Sequence, residues 1–344
     1  MLIGVAKRWK KLYLALHSIT THWPLFAGLR GVSLPMLQHC TVITPPEDLV
    51  TDPGQPNEVL TNLLSGATSL ASLALDYNIP ILSLKYPRQT ITHLDMYTIT
   101  KDRSIPVQMA FDTLSQCPRL ASLRVRCHVP VPCNPSSHLY HPFLASLDLQ
   151  IDTDSGPGAE SLLTHLTLPN LVCLSLCTPH LEWDQDAILS FFARCAPLQS
   201  LTLRCKKIEK RQLLEMLERT KELTSLALDI GLNITDDLLT DLLVPAQTNG
   251  HTQPQSQSRI LISKLKYLEL GGRLFISDND FLSLVMSRRY PSPQLDISTL
   301  EEVNIDCDGL VYGFMSPYLV EQLDELRWWG LRIRIAENGT LKYP

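Results

Sequence analysis

Between residues 127 and 141 the chain reads CHVPVPCNPSSHLYH, and Cys127, Cys133, His138 and His141 are all side chains able to hold zinc. Two thiolates and two imidazoles close a tetrahedron around that ion, so metal binding is one reading. Five residues separate the two cysteines and the prolines mark a loop. Compact zinc sites space their cysteines by about two to four residues, so a strand-end cysteine followed by a loop is the better reading. CLSLC places Cys173 and Cys177 on one face of a strand, as a weak metal or redox pair or as two edge thiols. The acidic runs DTD (152–154) and SDND (277–280) offer oxygen ligands. The second opens a helix, where capping and the helix dipole account for it, and the first lies in a turn. The chain has no Gly-Lys-Ser/Thr phosphate loop, no Gly-x-Ser-x-Gly elbow and no His-Glu-x-x-His. It therefore reads as a non-enzyme, with no catalytic residue, no cofactor and no metal.

The totals agree with a folded protein that works by contact. Of 344 residues, 44% are hydrophobic and 19% charged, and the net charge is −5. That balance gives no electrostatic case for nucleic acid. Residues 1–46 lack Asp and Glu but carry Lys7, Arg8, Lys10, Lys11 and Arg30. The KRWKK cluster reads as a solvated face, with contact to an acidic partner or phosphates as the alternative. The nine cysteines are scattered, not paired in a compact framework. With no signal peptide pattern, reduced thiols in a cytoplasmic or nuclear protein are expected. No run reaches the ~18 apolar residues of a membrane span.

What positions any binding residue is a repeat. CPRLASLRVRC (117–127) returns as CAPLQSLTLRC (195–205), 78 residues later, which is three periods of 26. The underlying pattern Leu-x-x-Leu-x-Leu starts at residues 70, 91, 120, 144, 171, 198, 223, 265 and 300. Most spacings fall within or at the edge of the ~20–29 residues of a leucine-rich repeat. The polar run PAQTNGHTQPQSQS (245–258), read as a disordered insert, and RRYPSPQLDIST (288–299) lengthen the two that exceed it. Period-2 alternation within each hexamer predicts a short strand with one apolar face. Residues 107–117, 184–195, 209–220, 235–243 and 277–289 carry apolar side chains at helical spacing, with Thr235 and Ser277 placed as N-caps. No single repeat can bury its own leucines, so stacking is required. The expected fold is α/β: a right-handed leucine-rich-repeat solenoid, or horseshoe, with parallel strands on the concave face and helices on the convex face. The expected layout is an N-terminal segment 1–46, a solenoid 47–315 with its insert at 245–259, and a C-terminal cap 316–344 sealed by Trp328 and Trp329.

The junctions QCPRLASLRVRC, RCAPLQSLTLRC, NITDDLLTDLL and FISDNDFLSLV resemble the cysteine-containing subtype of leucine-rich repeat found in F-box proteins. VAKRWKKLYLAL followed by FAGLRGVSLPMLQHCTVI resembles the stretch just after the F-box in fungal members, and LDELRWWGLRIRI resembles their closing element. The F-box itself is absent from this chain. The resemblance implies a substrate-recognition subunit of a cullin–RING ubiquitin ligase, with a protein substrate held on the concave face and a Skp-type adaptor docked through the F-box. A non-ligase scaffold is the alternative reading.

Residues flanking the strand leucines should face solvent on the concave side. The candidates for partner contact are His93, Asp95 and Tyr97, then Arg124, Arg126, Asp148, Gln150 and Arg204, then Asp229, Tyr267, Glu269, Asn304 and Asp306. The first residue of the triplet is serine in five of nine repeats, which keeps the surface low. The arginines predict a basic middle, the carboxylates an acidic C-terminal end, and Tyr97 and Tyr267 aromatic anchors. That pattern suits a protein or peptide, with no nucleic acid and no membrane.

Overall fold

The computed structural model describes residues 3–15, 31–43, 54–75, 84–96, 105–128, 138–151, 162–178, 183–195, 197–230, 234–242, 261–291, 295–310, 316–337 and 340–343. The chain forms two compact units, Met1–Leu171 and Val172–Pro344. The first unit runs α1 (Ile3–Ala6), β1 (Lys11–Ala15), β2 (His39–Ile43), α2 (Gly54–Ser65), β3 (Ser72–Leu75), β4 (His93–Met96), β5 (Ile105–Pro106), α3 (Val107–Gln116), β6 (Ser122–His128), β7 (Leu139–Tyr140), β8 (Ser146–Ile151) and β9 (Leu166–Thr167). β1, β2, β3, β4, β6 and β8 lie side by side in that order, each parallel to the next. β5 extends the ladder at the end of β6, and β7 pairs with β9 separately.

The second unit runs β10 (Cys173–Cys177), α4 (Gln185–Ala193), β11 (Ser200–Arg204), α5 (Lys210–Arg219), β12 (Ser225–Asp229), β13 (Ile234–Thr235), α6 (Asp236–Leu242), β14 (Tyr267–Phe275), α7 (Asp278–Arg289), β15 (Glu302–Leu310), α8 (Pro317–Trp328), β16 (Arg332–Glu337) and β17 (Thr340–Tyr343). β10, β11, β12, β14, β15 and β16 are parallel neighbours in that order. β13 joins the end of β14, and β17 turns back antiparallel onto β16. Each unit is thus α/β with a mostly parallel sheet. Among the described residues no helix is long and apolar enough to cross a membrane.

Every Leu-x-x-Leu-x-Leu hexamer supplies one of these parallel strands, and the reason is visible in the backbone. The carbonyl just before each strand accepts two N–H groups from the next coil. Gln38 O takes Ala71 N and Ser72 N, Thr92 O takes Ala121 N and Ser122 N, and Thr224 O takes Lys266 N and Tyr267 N, at 2.7 to 3.0 Å. This repeated contact sets one register throughout, so like residues stack in columns. Leu73, Leu94, Leu123 and Leu147 form one column in the first unit. Leu174, Leu201, Leu226, Leu268, Val303 and Ile333 form another in the second. All are at most 4% exposed. Burying each such side chain stabilises the fold by about 1.5–3 kcal/mol. The approach leucines, such as Leu70, Leu120, Leu223 and Leu300, are equally buried.

The five predicted helices all form, as α3 to α7. Ser277 caps α7 by accepting from Asp280 N at 3.1 Å. Thr235 is the last residue of β13 and directly precedes α6. A carboxylate at the start of one helix also holds the next helix. Asp236 Oδ1 accepts from Ser277 N at 2.6 Å, and Asp278 Oδ2 accepts from Ser316 N, before α8, at 2.9 Å. SDND is therefore a capping run that also ties α7 to α8. The run at 152–154 and the insert at 245–258 lie outside the described residues.

Trp328 and Trp329 do not seal the C-terminal end: they are 87% and 60% exposed. The buried stripe of α8 is Leu319, Leu323 and Leu326, and neither tryptophan falls on it. Closure comes from Gly330 and β17. Gly330 takes a left-handed φ of 87°, Gly330 N donates to Arg327 O at 2.8 Å, and Leu331 N donates to Leu326 O at 3.0 Å. These are the paired bonds of a glycine C-terminal cap, and the flanking Leu326 and Leu331 are both buried.

Candidate functional site

Side chains alternate across each strand, so the residues between the buried leucines share the other face of the sheet. In the first unit, Asp95, Arg124 and Asp148 oppose one another across β4, β6 and β8. Arg124 Nε lies 3.1 Å from Asp148 Oδ2, and its Nη1 lies 3.9 Å from Asp95 Oδ2. The expected basic middle is thereby answered within the chain by two carboxylates. Arg126, expected on the solvent side, is 4% exposed. It occupies the same face as Arg124 but lies near the strand's end, where β6 is flanked by both β5 and β8. His93 is exposed and its Nδ1 lies 2.9 Å from Thr92 Oγ1. Gln150 is half-buried and opposite Arg126. Tyr97 lies outside the described residues.

The second unit carries a concavity of about 260 Å³ on the corresponding face, lined by Thr202, Ser225, Ala227, Tyr267, Glu269, Glu302 and Asn304. Register explains it. Thr202, Ala227, Glu269 and Asn304 stand in one row, and Ser200, Ser225, Tyr267 and Glu302 in the next. Small side chains on β11 and β12 leave a hollow beside the taller ones on β14 and β15. The polar rim is cross-linked. Asn304 Nδ2 donates to Glu302 Oε1 at 2.9 Å, and Arg332 Nη2 lies 2.9 Å from Glu302 Oε2. The Arg332 guanidinium also stands 6.0 Å from the centre of the Tyr267 ring. Lys266 pairs with Glu301 at 3.0 Å, and the Tyr267 hydroxyl donates to the same carboxylate at 3.3 Å. The Lys266 hydrogen bond holds the Glu301 carboxyl below its usual range and raises the Lys266 ammonium. Glu269 has no ion pair among the described residues and points its charge into the hollow. Arg204, Asp229 and Asp306 flank this region. Arg204 sits opposite Asp229, and the exposed Asp306 sits opposite Gly271. A Cβ at Gly271 would come within 3.3 Å of the Asp229 Cβ, a tight contact to which that neighbour would have to yield.

The structure therefore gathers Tyr267, Glu269 and Asn304 into one hollow and leaves Asp95, Arg124 and Asp148 in a separate, self-paired row, with His93 and Gln150 in the rows on either side. Sequence reasoning missed Glu301, Lys266 and Arg332. The alternating RIRI in the closing element was the available signal for Arg332.

The other chemistry-bearing side chains are held inside the fold. Cys127 is buried in β6. His141 is 2% exposed, and its Nε2–H donates to Cys117 O at 3.0 Å. The His138 ring packs against His165, with centroids 5.3 Å apart. Cys133 lies outside the described residues. Among the described residues no three His, Cys, Asp or Glu side chains are grouped to hold a metal ion. Burial pushes the Cys40 thiol up to about 12 and raises Cys117 as well, so both stay protonated at neutral pH and are weak nucleophiles. Cys173 is exposed and Cys177 half-buried, on the same face of β10 as the hollow's residues on β11.

No family model matches the chain, and no curated protein matches it.

Proposed function

We propose that this chain is a non-enzymatic protein-interaction module: a leucine-rich-repeat solenoid whose concave strand face takes a protein partner. Its closest functional role is that of the substrate-recognition subunit in cullin–RING ubiquitin ligases. The observation that carries the reading is the hollow around Tyr267, Glu269 and Asn304. It combines an aromatic wall, an unpaired carboxylate and small flanking side chains on a rigid parallel ladder. Rigid polar hollows with one aromatic anchor suit side-chain recognition by a protein partner. The cross-linked rim around Glu301, Glu302 and Arg332 holds the anchor in place before a partner arrives, which lowers the ordering cost of binding.

Affinity capture from cells with the full chain tests this, run beside a Tyr267→Ala/Glu269→Arg variant. A partner captured by the parent and lost by the variant supports the reading. Identical partner sets overturn it. Co-capture of a Skp-type adaptor assigns the ligase role, whereas face-dependent capture without an adaptor assigns the scaffold role.

A further inference from the structure

A second surface lies on the helices of the second unit, independent of the strand face. Apart from Tyr267 and Leu341, the exposed large apolar side chains described in this unit all belong to α7, α8 or the residue that ends each: Met286, Tyr290, Tyr318, Trp328 and Trp329. Exposed apolar side chains gathered in this way mark interaction surfaces more often than chance. Helical spacing arranges them. Met286 and Tyr290 are four residues apart on one wall. Gln322, Glu325 and Trp329 are spaced by three and four on the other. Between these walls is a groove of about 320 Å³, floored by the buried Leu326.

The electrostatics of this groove select its occupant. Tyr290 and Trp329 are the C-terminal cap residues of α7 and α8, so two helix ends of partial negative charge meet here. The nearby cations are already engaged. Arg288 is buried on carbonyls, and Arg289 donates to Leu300 O and Trp329 O. Arg327 pairs with Asp324 and covers the Tyr343 ring. Glu321 and Glu325 are exposed and have no ion pair among the described residues. Two aromatic faces, a thioether and a carboxylate with no ion pair among the described residues form surroundings that favour a cation on an aliphatic stem.

We propose that the α7–α8 groove binds a lysine or arginine side chain of a partner polypeptide, stacked between Tyr290 and Trp329 and charge-paired with Glu325. The proposal does not rest on the function assigned to the strand face. The test is a tryptophan-fluorescence titration of the full chain with a hexa-arginine peptide, with a hexa-citrulline peptide as the neutral control. Binding by the cationic peptide should exceed that of the control and fall with salt. Trp329→Ala and Glu325→Gln should each weaken it by about tenfold. Both side chains are exposed, so unchanged melting temperatures will show that the variants are folded. Asp186→Asn, in the exposed first turn of α4, should leave the affinity unchanged. Equal binding of the two peptides, insensitivity to Trp329→Ala and Glu325→Gln, or loss through Asp186→Asn alone would each overturn the proposal. So would concentration-dependent dimerisation abolished by Trp329→Ala, because the groove would then be a contact between copies.

Discussion

Arg288 brings a charge into the interior of the second unit and is fully shielded there. Desolvation pulls its guanidinium down to about 10, which still leaves it protonated at neutral pH. Its planar fork donates to Leu242 O, Leu261 O and Ile262 O at 2.7 to 2.9 Å. Ile262 itself sits at φ 53°, a strained conformation for a β-branched residue, and its carbonyl is one of those held. Arg288→Met should lower stability by about 3–5 kcal/mol in urea unfolding, since three buried carbonyls lose their donor. Arg288→Lys should recover little, because an ammonium lacks the fork. Arg124 gives the contrast. Its ion pairs are nearly half exposed, and Arg124→Ala should shift stability by no more than about 1 kcal/mol. The buried thiols set an alkaline limit. Burial raises Cys40 from 9.0 to about 12, and it raises Cys117 and Tyr86 too. The folded state keeps these protons after the unfolded chain has lost them. Stability is therefore complete below pH 9 and falls as pH rises past it. Melting temperatures at pH 8 and 10 should show the loss, and Cys40→Ala should reduce it.

At the scale of elements, the ends of α8 show how local chemistry decides geometry. Its start is fixed by Ser316, whose Oγ accepts from Leu319 N at 3.2 Å and whose own N–H is held by Asp278. Its end depends on a left-handed residue. Gly330→Ala should cost about 1 kcal/mol, read as a lower unfolding midpoint, because an added Cβ strains that conformation. Within the ladder, Leu226 is 1% exposed between Leu201 and Leu268. Leu226→Ala should cost about 2–5 kcal/mol, set by how far the neighbouring coils can close on the void.

At the scale of the molecule, a regular ladder tolerates irregular connections so long as their ends are held. Leu242 O and Leu261 O both lie 2.7 Å from the same Arg288 nitrogen, so the two ends of the polar segment between them are close together. Replacing residues 245–258 with a short Gly-Ser link should therefore leave the fold intact. It should raise stability by about 1 kcal/mol through loop-closure entropy, measurable by urea unfolding. The paired row of Asp95, Arg124 and Asp148 and the hollow beside Glu269 also differ in what they offer a partner. The first ties two carboxylates to one arginine, and the second holds a carboxylate with no ion pair among the described residues.

The strand and helix pattern, the stacking of leucines and the parallel order were legible from the sequence, because each depends on side-chain period within some twenty to thirty residues. The columns of the aligned hexamers even place Asp95, Arg124 and Asp148 side by side. Burial of individual polar groups was not legible in this way. Arg126 and Arg124 are two residues apart on one strand face, yet Arg126 is buried and Arg124 is nearly half exposed, a difference that the period-2 pattern does not carry. The same holds for Arg288, buried by carbonyls 26 and 46 residues away, and for Trp328 and Trp329, left outside by the rotation of their helix. Periodicity determined which residues line the ladder. Tertiary packing decided which charges stay paired, which are enclosed, and which remain open to a partner, since solvation depends on neighbours that only the folded chain brings together.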